Sequence, residues 1–270
     1  MTRARLFVTI ATQRSGTKAL GSALNNGTIV ESLGELFTGA EAPQRDPLRR
    51  LTRIICARER FSFSLADWHA VLDELFGVYA EEAGRPFLHL DLMYNQLGAF
   101  SPRLETQDGV RSRSTLLTYL VSRQVPVIHL VRPVGECLRS EVAMHLSGVA
   151  HVDRQGVSSP ASPPPWDDAR GEQARSSWVA RRAGQILYWR RVVEQALEGF
   201  RHLTLAYQDT FDIEGKVSAH AMERTAWLIQ VEPPGADCAG LFGESRFVKT
   251  SAWTDVDFDL SAAATWPWNS

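Results

Sequence analysis

Two short segments gather the residue types that a phosphorylated ligand requires. Gln13-Arg14-Ser15-Gly16-Thr17-Lys18 sets a glycine between two hydroxyls, with a cation at either side. Placed at the start of a helix, such a run offers backbone N–H groups and the positive helix end to an anion, while Gly16 permits close approach of the backbone. A turn followed by a capped helix is the alternative for so short a motif. The second segment is His129-Leu130-Val131-Arg132-Pro133-Val134-Gly135-Glu136-Cys137-Leu138-Arg139-Ser140, where a strand ends on Arg132 and Ser140 follows eight positions later. That pair can grip a second phosphate; for Arg132 the alternative is an ion pair with Glu136 at the helix start.

The elements around these segments must bring them to one place. Leu6 to Ala11 is an apolar, β-branched run suited to a buried parallel strand, and Lys18 to Leu24 resumes with helical spacing. Thr28 to Ser32 reads as a second strand, leading into Gly34-Glu35-Leu36-Phe37. Ser64 caps a helix reaching about Ala83, with Asp67 at the capping-box position. Strands are expected at 86–92, 125–131 and 202–207, and helices at 134–146, 173–197 and 216–229. Strands alternating with helices predict an α/β protein, a three-layer α/β/α sandwich around a central parallel sheet. One domain spanning 1–270 is expected, with a Ser-, Pro- and Gly-rich stretch at 148–170 as a flexible lid or loop.

Composition narrows the function classes. The chain has 270 residues, and 29 Lys+Arg against 31 Asp+Glu give a net charge of −2, which argues against a general nucleic-acid binder. Cys56, Cys137 and Cys238 are far apart and form no CxxC pair, so neither a zinc site nor a disulfide framework is expected, and no metal is. The first apolar run is too short for a signal-peptide core, and no later run reaches membrane-spanning length, so a cytoplasmic protein without a membrane partner is expected. The GxxxxGK[ST] spacing of a Walker A loop is absent, which disfavours a kinase or ATPase.

Taken together, the two anion segments resemble those of sulfotransferases that use 3′-phosphoadenosine 5′-phosphosulfate (PAPS), and resemble the bacterial and carbohydrate-type members more than the cytosolic aryl type. The resemblance implies a P-loop nucleoside-triphosphate-hydrolase-like sulfotransferase fold. It assigns Arg14, Ser15, Gly16, Thr17 and Lys18 to the 5′-phosphosulfate, and Arg132 with Ser140 to the 3′-phosphate. Leu205-Ala206-Tyr207-Gln208-Asp209-Thr210 looks like the family's Tyr-Glu-Asp-Leu segment, with Gln208 where glutamate is usual, and adds Tyr207 to the cofactor site. Ser245 to Thr250, followed by Trp253, is similar to the late basic loop over the 3′-phosphate and adds Arg246 and Lys249. PAPS, yielding adenosine 3′,5′-bisphosphate, is thus the implied cofactor, and Arg14 is implied in catalysis as well as binding.

Glu35 stands where the bacterial and carbohydrate members carry a catalytic glutamate, and a surface carboxylate paired with Arg49 or Arg50 is its alternative. His89 and Asp91 align with the strand that carries a cation in the family, and neither alignment supplies that cation. Alternate strand residues share a side, so His89 and Asp91 form either a base dyad or a satisfied core pair. Phe37, Tyr94, Trp166, Trp178 and Trp189 are candidates for the acceptor pocket, with core packing the alternative for the tryptophans. The implied acceptor is a hydroxyl or amine of a small metabolite or of an intermediate on a carrier protein. Use of the sulfate as a leaving group for elimination or ring closure, or a degenerate nucleotide-binding subunit, are the other readings. A homodimer or a partner subunit is compatible with each.

Overall fold

The structure, a computed structural model, describes residues 3–37, 64–98, 114–152, 158–160, 171–212, 214–230 and 240–244. It begins with β1 (Arg5–Ala11), α1 (Thr17–Asn26) and β2 (Val30–Glu35). α2 (Leu65–Glu82) leads to β3 (Phe87–Met93) and a short 3₁₀ turn at Tyr94–Gln96. α3 (Thr115–Ser122), β4 (Val127–Val131) and α4 (Val134–Ser147) follow. A small antiparallel ribbon of β5 (Val149–Val152) and β6 (Ser158–Pro160) precedes the long α5 (Gly171–Leu197). β7 (His202–Ala206), α6 (Tyr207–Thr210) and α7 (Ala219–Ile229) complete the described elements.

Five strands form one all-parallel sheet in the order β2-β3-β1-β4-β7. Side-chain alternation divides the apolar residues between its two faces. Val8, Ile10, Leu88, Leu90 and Leu92 pack with Leu72 and Leu75 of α2, Leu116 of α3 and Ile186 of α5. Phe7, Ala11, Ile128, Leu130, Leu203 and Leu205 pack with Leu20 and Leu24 of α1 and Leu228 of α7. Helices on both faces make this an α/β protein of three layers, in which each fully buried Leu or Ile contributes about 1.5–3 kcal/mol.

Several boundaries differ from the sequence expectation. β2 runs two residues later at its start and extends through Glu35, because a register shift between Ser32 and Glu35, with Gly34 at φ 67°, lets the strand continue. α7 starts at Ala219 because Ser218 caps it, its hydroxyl accepting from the Ala221 N–H. The capping box at Ser64 and Asp67 forms as expected. Part of the stretch at 148–170 is a ribbon: Gly148 closes α4 in the left-handed conformation at φ 69° and turns the chain into β5. Residues 153–157 and 161–170 of the expected lid lie outside the described residues.

Candidate functional site

The sheet order places a topological switch point between β1 and β4: the chain leaves β1 toward β2 at one edge and leaves β4 toward β7 at the other. In open α/β sheets, the crevice beyond the carboxyl ends of such strands is where ligands bind. Ala11 and Leu130 are register partners, so the loop after β1 and the end of β4 emerge side by side. The two anion segments occupy these positions.

Local conformation follows from residue type in the first loop. Gly16 caps α1 at φ 86° and, having no side chain, gives no cap hydrogen bond to the first N–H groups of the helix. A Cβ at Gly16 would stand 2.7 Å from Phe211 Cε2 and 2.8 Å from Tyr207 Cε2, so the position demands glycine for space as well as for φ. Arg14 is also left-handed, at φ 64°, which an L-residue adopts at a cost of about 1–2 kcal/mol. Ser15 is fully buried, its hydroxyl 3.8 Å from the Cys137 thiol, whereas Thr12 is buried with a hydroxyl that has no partner among the described residues.

The segments meet although they lie 126 residues apart: Arg14 Nε donates to Ser140 Oγ at 3.2 Å, and Arg132 Nη1 donates to the Arg14 carbonyl at 2.8 Å. Arg132 Nε also donates to Glu136 Oε2 at 3.0 Å, so the helix-start ion pair forms alongside the contact to the first loop. Gln208 Nε2 holds the other Glu136 oxygen at 3.2 Å. The Arg132 guanidinium lies over the Tyr207 ring, 4.3 Å from its centroid, and Tyr207 in turn packs against Phe211. Burial lowers the Arg14 pKa, opposed by Glu141, and burial raises Tyr207 and Cys137.

At the other flank, Glu35 and Asp91 are register partners at the carboxyl ends of β2 and β3. Glu35 is half-buried and burial raises its pKa, opposed by Lys18, while Gln96 Nε2 lies 3.5 Å from its Oε2. Lys18 is exposed; partial desolvation lowers its ammonium, and Glu35 and Asp91 pull the other way. Asp91 is almost fully buried, its Oδ1 has no hydrogen-bond partner among the described residues, and burial raises its pKa strongly.

His89 has no exposed surface and engages both ring nitrogens, Nε2 with Thr9 Oγ1 at 2.8 Å and Nδ1 with Ser32 Oγ at 2.9 Å. Burial pushes it down to about 3, so it is neutral at ordinary pH. Its Nε2 is 3.7 Å from Asp91 Oδ1. Of the two alternatives for His89, this bonding matches the core one.

The structure therefore brings Arg14, Ser15, Gly16, Thr17, Arg132, Ser140 and Tyr207 to one end of the sheet, with Lys18, Glu35 and Asp91 beside them. Arg246, Lys249, Trp166, Trp253, Arg49 and Arg50 lie outside the described residues. Trp178 is buried in the core against His145, Trp189 lies against Gly98, Tyr94 is buried, and Phe37 packs on the core. Sequence reasoning missed three residues that brace the loops. Arg182 Nε donates to both oxygens of the buried Glu141, at 3.1 and 3.2 Å, and its Nη2 reaches Gln13 Oε1 at 3.2 Å. Arg190 Nη2 donates to the Arg132 carbonyl at 2.6 Å. The two arginines sit eight residues apart in α5, with the buried Ile186 midway, and that spacing was the available signal.

Among the described residues, no group of three or more His, Cys, Asp or Glu could hold a metal ion, and no helix is long and apolar enough to cross a membrane. No protein-family model matches the chain, and no curated protein matches it.

Proposed function

We propose that the chain is a PAPS-dependent sulfotransferase of the P-loop type, which moves a sulfuryl group to a hydroxyl or amine of a small metabolite or carrier-bound intermediate and releases adenosine 3′,5′-bisphosphate. The observation that carries this reading is the contact of two cationic, hydroxyl-bearing segments at the switch point of a parallel sheet, Arg14 to Ser140 and Arg132 to the Arg14 carbonyl. The donor set suits an adenine nucleotide with phosphate at both ends: guanidinium groups and hydroxyls for phosphate oxygens, and a helix end without a side-chain cap for charge.

When bound, the donor supplies the sulfuryl group and a phosphate leaving group. Arg14 and the N–H groups at the start of α1 neutralise charge on that phosphate, and losing an arginine in this role costs about 3 kcal/mol in the transition state. Arg132 and Ser140 take the 3′-phosphate, with Tyr207 holding the Arg132 plane. Glu35 accepts the acceptor's proton as the new O–S or N–S bond forms and the S–O bond to the phosphate breaks. Burial raises its pKa, opposed by Lys18, which makes it a stronger base than an exposed carboxylate.

A second reading, a nucleotide-binding subunit without turnover, is favoured by the burial of His89 and Asp91, which removes both from an acceptor. A thermal-shift comparison separates the classes: adenosine 3′,5′-bisphosphate should raise the melting temperature, and ATP with magnesium or NAD should not. Stabilisation by ATP–magnesium alone would return the chain to the kinase class, and sulfate transfer from PAPS separates an enzyme from an inactive subunit.

A further inference from the structure

Helix α4 carries two carboxylates beside the anion segments, and each meets an arginine. Glu136 takes Arg132, four residues earlier, at 3.0 Å. Glu141 is only 5% exposed and takes Arg182 of α5, whose Nε donates to both of its oxygens at 3.1 and 3.2 Å. The same guanidinium reaches the first loop, where its Nη2 donates to Gln13 Oε1 at 3.2 Å. One planar group therefore touches the carboxylate and the loop together.

The residues next to these contacts are joined as well. Arg14 follows Gln13, Ser140 precedes Glu141, and Arg14 Nε donates to Ser140 Oγ at 3.2 Å. Two consecutive loop residues thus face two consecutive residues of α4, with one rung made by Arg14 and the other by Arg182. The rungs differ in charge: at Ser140 the arginine meets a neutral hydroxyl, whereas at Glu141 it meets a buried carboxylate. Without Arg182 that carboxylate would be an uncompensated charge that water screens poorly, and an anion entering the loop would meet it as a like charge.

We infer that Arg182 is a positioning residue whose task is electrostatic: it holds and neutralises Glu141 beside the first anion loop, leaving the charge of Arg14 to the ligand. The inference rests on the nucleotide reading above. It gives the two members of one ion pair opposite effects on binding. Without Arg182 a negative charge opposes the phosphates, and without the charge of Glu141 the site gains a positive one. A pair that only braced the fold would weaken binding whichever member was lost.

Calorimetric titration of the full chain with adenosine 3′,5′-bisphosphate tests this, each variant's folding being checked by circular dichroism at the same temperature. Arg182→Met should weaken binding about tenfold, the effect of one poorly screened charge near the ligand. Glu141→Gln keeps an acceptor for Arg182 and should bind as tightly as wild type or up to about tenfold more tightly. The double variant should return to within about threefold of wild type, and Arg182→Lys, which keeps the charge, should lose less than about threefold. Glu141→Gln carries the test alone if the methionine variant unfolds, and a loss of about threefold or more in it overturns the inference. Wild-type affinity in Arg182→Met, or a double variant as weak as Arg182→Met, also overturns it while the nucleotide reading stands. A wild-type chain that does not bind adenosine 3′,5′-bisphosphate overturns the nucleotide reading and this inference with it.

Discussion

Replacing Gly16 with alanine should destabilise the protein more than any left-handed glycine in open space, and the difference can be worked out in advance. The φ of 86° alone costs an L-residue about 1–2 kcal/mol. The added methyl would also stand 2.7 and 2.8 Å from ring carbons of Phe211 and Tyr207, and Phe211 is buried, so a ring must move. Forcing a methyl into a packed site of this kind costs about 1–3 kcal/mol, for a sum of about 2–5 kcal/mol. Gly199 supplies the control: its φ is 71° and nothing lies within 4 Å of a Cβ there, so Gly199→Ala carries only the conformational cost.

The entropy that alanine removes from the unfolded chain is the same in both variants and cancels. Urea unfolding of the two proteins should therefore differ by about 1–3 kcal/mol, or roughly 2–12 °C in melting temperature at this chain length. Gly16→Ala should also lose nucleotide affinity, because displacing Tyr207 disturbs the stacked Arg132. Equal stability of the two variants, within about 0.5 kcal/mol, would refute the packing argument.

Other outcomes follow from the site. Arg132→Ala should weaken adenosine 3′,5′-bisphosphate about thirtyfold or more while barely affecting adenosine 5′-phosphate; equal losses in calorimetry would remove the 3′-phosphate assignment. Glu35→Gln should abolish sulfate transfer with nucleotide affinity nearly intact, and retained turnover in it with loss in Asp91→Asn would move the base to β3. The rate should rise with pH through the raised pKa of Glu35, and a profile flat across the acid range would count against it. Because His89 is held at about 3 against an ordinary 6.5, the unfolded chain binds more protons between those values. Its contribution to stability is present above pH 6.5 and is lost as pH falls toward 3, by about 2 kcal/mol between about pH 7 and pH 5. Urea midpoints of wild type and His89→Gln should therefore converge on acidification, and a constant gap would contradict the burial of a neutral ring.

Much of the framework can be read from local sequence because the forces that set it are local. The β1 run, the Ser64 capping box and the stop at Pro133 each depend on neighbours within a few residues, and each element forms where the pattern puts it. Glu35 was assigned beyond β2 because a strand bent at Gly34 and resuming afterwards leaves no mark in side-chain alternation. α3 was overlooked although Ser114 precedes a short apolar run and accepts from the Leu117 N–H; eight residues are too few for helical periodicity to stand out. In the site, Arg14 and Arg132 could be recognised as anion ligands, but their mutual contact depends on strand order. The spacing of Arg182, Ile186 and Arg190 in α5 puts both bracing arginines on one helix face, but what they brace depends on packing across the sheet, which local sequence does not carry.

Two left-handed residues, Arg14 and Gly16, bracket the buried Ser15 in the loop after β1. The strain at Arg14 is balanced by folding of the whole domain, so the loop is shaped before any visitor arrives. Association there would then involve little loss of chain entropy, and affinity would track the charge and hydrogen-bond capacity of the incoming anion. Relaxing the strain at Arg14 with glycine would make the empty protein more robust and the loop a poorer receptor.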